Sequence, residues 1–160
     1  LADFPKLLGA RLKLPIGLRL NTYLSEWLVS RLYYRYYWDN WGIRAHTVGL
    51  ELPIKLSRFL AIYPHYRYHH QSAADYFAAY QEHVEGSEFY TSDFDLSALQ
   101  SHGYGVGVIY SPTKGLAKIG LPFRRRDLLL MQSVELKYSH YNRSTGLTAD
   151  IVSLAVKFSY

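Results

Sequence analysis

Apolar side chains recur at every second position along most of this 160-residue chain, in runs longer than ordinary soluble strands. From Arg11 to Leu24, the side chains of Leu12, Leu14, Ile16, Leu18, Leu20 and Leu24 fall on one face, with Arg11, Lys13, Arg19, Asn21 and Tyr23 on the other. An α-helix would mix these two sets around its circumference, so the period specifies a strand. The pattern returns over Trp27–Trp38, Ile43–Ile54, Leu60–His70, Leu96–Tyr110, Leu128–Tyr141 and Ile151–Tyr160. These runs of about 11 to 15 residues suit strands tilted across a bilayer.

The connections between them carry their own signals. Ser25–Glu26, Asp39–Asn40, Lys55–Arg58 and Asn142–Gly146 read as short turns. Residues 71–92 lose the alternation and become mixed and acidic, which predicts a long loop with one or two helical turns around Ala73–Tyr80. Residues 111–127, with Pro112, Pro122 and the run Arg124, Arg125, Arg126, read as a basic connector.

Which face meets which environment decides the fold class. A soluble antiparallel barrel or sandwich also alternates, but it would pack Leu, Tyr and Trp inside and leave aromatic strand ends in bulk water. Tyrosine, at 16 residues, suits a boundary between hydrocarbon and water, because its ring is apolar and its hydroxyl is not. The longest aliphatic run, Leu128–Met131, is far too short for a membrane helix, and zero cysteines argue against a disulfide scaffold. In the last strand Val156, Phe158 and Tyr160 share one face and end on an aromatic residue, the membrane-insertion signal of bacterial outer-membrane barrels. The expectation is an all-β fold, an antiparallel up-and-down transmembrane β-barrel of about 7–8 strands in the bacterial outer membrane, with residues 1–160 as one domain. Counting back from a periplasmic Tyr160 places the 71–92 loop outside the cell and the 111–127 connector in the periplasm. Seven strands is an odd number, whereas single-chain bacterial barrels are normally even. Either Ala2–Ala10 or the 116–123 stretch supplies an eighth strand, or upstream strands are missing. The second option is preferred, and no leader is visible at Leu1, so the chain reads as the carboxy-terminal part of a larger barrel.

A resemblance supports the same placement. Tyr34, Arg35, Tyr36 and Tyr37, then Asp39, Trp41, Gly42, Ile43, His46 and Thr47, form its first part. Tyr66, Arg67 and Tyr68 follow, with Gln71, Ser72, Ala73, Ala74, Asp75 and Tyr76. Together they make most of residues 11–160 resemble the carboxy-terminal part of a family of predicted outer-membrane proteins of unknown function. The resemblance implies a location and a longer parent protein; it carries over no catalytic residue.

The inward face is rich in cations. Arg11, Lys13, Arg19, Arg31, Arg35, Arg67, Lys137 and Lys157 oppose Glu51 and Glu135. In a water-filled lumen that surplus concentrates anions; in a narrow barrel the same side chains pair and fill the interior. Gly103, Gly105 and Gly107, on the inward face of the fifth run, leave room for a ligand, a plug or a bend. A non-enzymatic channel or membrane anchor is the expected role; a lipid-modifying enzyme and a soluble ligand-binding barrel are the alternatives. Ser139, His140 and Asn142 superficially resemble the site of lipid A deacylases, but Asn142 stands where the nucleophile should be. His65 and His69 lie about 13 Å apart along a strand and His70 faces away, so no metal site is expected, nor any cofactor. The net charge of +5 is spread over lumen and connector rather than gathered on a base-reading element, which excludes nucleic acid as the expected partner. The expected partners are outer-membrane lipid and lipopolysaccharide, the barrel-assembly machinery, and a surface lipoprotein or other subunit docked on the 71–92 loop.

Overall fold

The computed structural model describes residues 11–75, 77–78, 93–121 and 124–159. They form nine strand segments and one short 3-10 turn. The segments are β1 Lys13–Ser25, β2 Leu28–Asp39, β3 Arg44–Glu51, β4 Ile54–Lys55, β5 Leu60–Gln71, β6 Leu99–Tyr110, β7 Ala117–Leu121, β8 Arg124–Arg143 and β9 Thr148–Ser159. All pairings are antiparallel, and with β3 and β4 taken as one line and β6 and β7 as another they join neighbours along the chain, so the sheet is an up-and-down meander.

Two of its seven lines are interrupted, and proline explains both breaks. The β3 ladder stops at Leu52 and Pro53 and resumes in β4, which pairs with the same neighbours, β2 and β5. Across the gap the Val29 N–H still donates to the Pro53 carbonyl at 3.0 Å. Pro53 has no N–H to give back. Likewise β6 ends before Pro112, the chain turns through Gly115 at φ +74°, and β7 continues along the same edge of β8. This corrects the expected 111–127 connector. Only 111–116 is a connection; 117–121 and 124–127 are strand, and β8 reaches back to Arg124. The 116–123 stretch therefore supplies strand but no separate wall position. The strand expected from Leu96 starts at Leu99, because Phe94–Leu96 closes a 3-10 turn in which Asp93 accepts from the Asp95 N–H. Ala73, Ala74 and Asp75 are not helical, and the remainder of the expected 71–92 loop falls largely outside the described residues, as does Tyr160.

The sheet curls. Arg19 on β1 and Lys137 on β8 border one cleft, and the Tyr63 hydroxyl on β5 donates to Glu135 on β8, two lines away. Among the described residues β1 pairs only with β2 and β9 only with β8, so both outer edges of the curl are unpaired. The polarity of the two faces is the reverse of a soluble sandwich. On the convex face Leu18, Tyr34, Tyr66, Tyr104, Leu136 and Leu154 are exposed, Leu18 at 69% and Leu154 at 67%. The buried concave positions mix small and polar residues, such as Ala45, Thr47 at 1% and Ser101 at 4%, with Tyr63 and Leu99.

A compact knot closes one end. Asp39, at the end of β2, is wholly buried. One carboxylate oxygen accepts from the backbone N–H groups of Trp41 (3.0 Å) and Ile43 (3.1 Å); the other accepts from Arg11 Nε and the Tyr37 hydroxyl, both at 2.9 Å. The Arg11 guanidinium also lies 4.2 Å above the Trp41 ring. Trp41, Ile43, Ala74 and Leu96 pack together beside it. Arg11 thus pins the start of β1 to the end of β2. Removing the carboxylate in Asp39→Ala would leave an arginine and two backbone donors without their acceptor, which is expected to cost about 3 kcal/mol. Urea denaturation of the variant checks this; an unchanged midpoint would mean that the knot does not hold the edge.

Candidate functional site

The antiparallel register brings cations from four strands into one place. Across the concave face, Asn21, Arg31, Glu51 and His65 lie in one row; Arg19, Tyr33, Gly49 and Arg67 lie in the next. These rows line a cleft of about 670 Å³, to which β8 adds Lys137. Arg35, one row further on, completes its basic wall. Gly49 lies against Tyr33, and Arg19 sits 5.7 Å from the centre of the Tyr33 ring.

Beside the cleft, strand β6 forms a bare floor between β5 and β8, because it has no side chains there. A Cβ at Gly107 would stand 2.1 Å from the Tyr63 ring, and one at Gly105 would stand 2.0 Å from the Tyr138 carbonyl oxygen. Over this bare strip β5 and β8 meet directly. Tyr63 reaches Glu135, His65 Nε2 lies 2.9 Å from Ser139 Oγ, and Lys137 Nζ lies 5.9 Å from the Tyr63 ring centre.

The charges in the cleft do not cancel. Five cations, Arg19, Arg31, Arg35, Arg67 and Lys137, line it with one carboxylate, Glu51. Arg31 and Glu51 approach to 3.7 Å. Among the described residues the other four cations make no ion pair. Convergent guanidinium groups offer planar pairs of N–H donors, which match carboxylate, sulfate or phosphate oxygens.

The remaining inward candidates stand elsewhere. Arg11 is held in the Asp39 knot, Lys13 is exposed at the start of β1, and Glu135 is engaged by Tyr63. Lys157 follows the open β9 edge. Val156 and Phe158 project from the convex side of β9. Tyr33, His65 and Asn21 border the cleft although charge alone does not single them out; their odd numbers in the alternating strands were the available signal. Ser139, His140 and Asn142 do not converge. Ser139 faces His65, whereas His140 Nδ1 lies 2.8 Å from Asp150 on the opposite face. Among the described residues no three His, Cys, Asp or Glu side chains gather as metal ligands.

The glycine floor gives a direct expectation. Gly107→Ala must displace the Tyr63 ring and is expected to destabilise the fold by about 1–3 kcal/mol. Gly17→Ala, whose nearest heavy atoms lie 3.8 Å from the added Cβ, is expected to stay within about 0.5 kcal/mol. Parallel urea titrations compare the two.

Residues 9–121 match the family described as "Protein of unknown function (DUF3570)", and the chain belongs to that family. No curated protein and no solved structure shows significant similarity to it.

Proposed function

We propose that this chain forms part of the wall of a bacterial outer-membrane β-barrel, a non-enzymatic protein whose cation-lined concave face attracts small anions. The observation that carries the reading is the reversed polarity of the sheet. Apolar and tyrosine side chains stand exposed on the convex face of strand after strand, while the charged residues turn into the curl. In water such a convex face is costly at roughly 25 cal/mol for each Å² of apolar surface; against lipid it costs nothing. Strands of 12 or 13 residues, as in β1, β2, β5 and β9, are long enough to cross the hydrocarbon layer at a tilt.

The cleft supports the second half of the proposal. Four cations that make no ion pair among the described residues, gathered in one cleft, raise the local concentration of anions and lower that of cations.

Two measurements on the full-length protein test the two halves. After separation of inner and outer membranes, it is expected in the outer-membrane fraction and to resist extraction by urea; release into the soluble fraction would overturn the membrane reading. In planar bilayers under a potassium chloride gradient, the reversal potential is expected on the chloride side. Replacing Arg31, Arg35 and Arg67 by glutamine should move it toward zero. A cation-selective wild type, or an absence of conductance, would remove the anion path.

A further inference from the structure

The convex face carries a cross-strand arrangement that recurs around the curl and that the cleft does not use. On β2 and β3, the Tyr34 hydroxyl lies 2.8 Å from His46 Nδ1, and the ring of Tyr36 lies 5.2 Å from the same imidazole. On β5 and β6 the pattern repeats with Tyr66, 2.8 Å from His102 Nδ1, and Tyr68, 5.1 Å from its ring. On β6, β8 and β9 it recurs in altered form: Tyr104 lies 5.3 Å from His140, and Asp150 takes the place of the tyrosine hydroxyl, accepting from Tyr138 as well. In the first two cases two residues of one strand hold a histidine of the next; in the third, His140 of β8 is held between Tyr104 of β6 and Asp150 of β9.

The level of this arrangement matters. Below it the convex face is aliphatic, with Val106, Val108, Leu136, Val152 and Leu154. At its edge stand His70, directly opposite His46 in the same row, and Arg44, two residues before His46 on the same face. His46, His70, His102 and Arg44 are exposed. Along the strands, hydrocarbon-like side chains therefore give way to a band in which tyrosine rings and nitrogen donors share rows, Tyr36 with His46 and Tyr68 with His102. A lipid leaflet changes in the same direction, from acyl chains to ester groups and headgroup phosphates.

The chemistry of the imidazole fixes what it can bind. When a tyrosine hydroxyl donates to Nδ1, the ring hydrogen sits on Nε2. Among the described residues Nε2 of His46 and of His102 has no hydrogen-bond partner. In that tautomer each ring is held with one N–H donor available, and Arg44 adds a guanidinium beside the first. Donors in a row at the edge of an apolar face suit phosphate oxygens, not an apolar ligand or a cation. Asp150 makes the third position poorer for an anion, which limits the row to β2 through β6.

We propose that His46, His70 and His102, with Arg44, form a docking strip for the phosphate groups of outer-leaflet lipid, and that Tyr34 and Tyr66 are positioning residues that hold two of the imidazoles. The strip rests on the membrane reading given above, and it names the lipid chemistry that the convex face meets.

The test uses the full-length protein in a non-ionic detergent, titrated with fluorescently labelled diphosphoryl lipid A and with the same lipid after removal of both phosphates. The wild type is expected to bind the phosphorylated form about tenfold more tightly, and His46→Phe with His102→Phe to reduce that preference to about twofold. Arg44→Gln, at an exposed strand end where the fold tolerates change, should lower it separately. Tyr34→Phe should weaken it in part while leaving binding of the dephosphorylated lipid unchanged. Equal binding of the two lipids by the wild type, or full preference in the histidine and Arg44 variants, would overturn the inference. Urea extraction of the wild type from membranes separates the two readings: a wild type that resists extraction but shows no phosphate preference overturns only the strip, and one that is extracted overturns both.

Discussion

Every feature of this protein depends on parity. In a strand, neighbouring side chains point to opposite faces, and in this sheet nearly every cross-strand pair joins an odd residue to an odd one or an even to an even. Arg31 meets Glu51, Glu51 meets His65, and His65 meets Gly105, so a single face is kept through turn after turn. A slip of one residue at any turn would carry the arginines to the convex side and bring the leucines in. Where the parity changes, a bulge allows it: between Met131 and Ser133 the register of β8 shifts, and Met131 comes opposite Phe158. That shift sets Met131, an odd residue, against Phe158, which β9's own alternation leaves on the exposed side.

Parity also explains what was legible in the sequence. The alternation from Arg11 to Leu24 needed no partner to be recognised, and strands β1, β2, β5 and β9 start and end within a few residues of where the pattern does. The antiparallel order followed from the short turns. The 111–127 region was misread because Pro112, Pro122 and three arginines obscure a short alternation at Ala117, Ile119 and Leu121, and its strand character comes from the β8 edge beside it rather than from its own composition. Local propensity is weaker than the ladder offered by a neighbour.

The cleft was legible by half. Charge and parity picked out Arg19, Arg31, Arg35, Glu51, Arg67 and Lys137, but they could not tell which of the inward residues were already committed. Arg11 looks equivalent to Arg19 in the pattern. Its difference lies in Asp39, 28 positions away, whose backbone partners Trp41 and Ile43 belong to a turn. Glu135 is likewise withdrawn by Tyr63, a contact that exists only because the strand between them is glycine. Such couplings are tertiary, and a period of two does not report them. The histidines show the same limit: their number invited a metal site, whereas their registers set them against tyrosines of the preceding strand.

The glycine strip on β6 has an implication for how the cleft could be tuned. Its three positions are not equivalent. A side chain at Gly105 or Gly107 collides with the sheet backbone or with Tyr63, but a Cβ at Gly103 meets nothing nearer than 4.0 Å, from Arg67 and Tyr141. One residue of the floor can therefore grow without disturbing the wall. A side chain grown there would stand beside Arg67, so the surroundings of one of the cleft's cations can be altered without replacing any of its arginines.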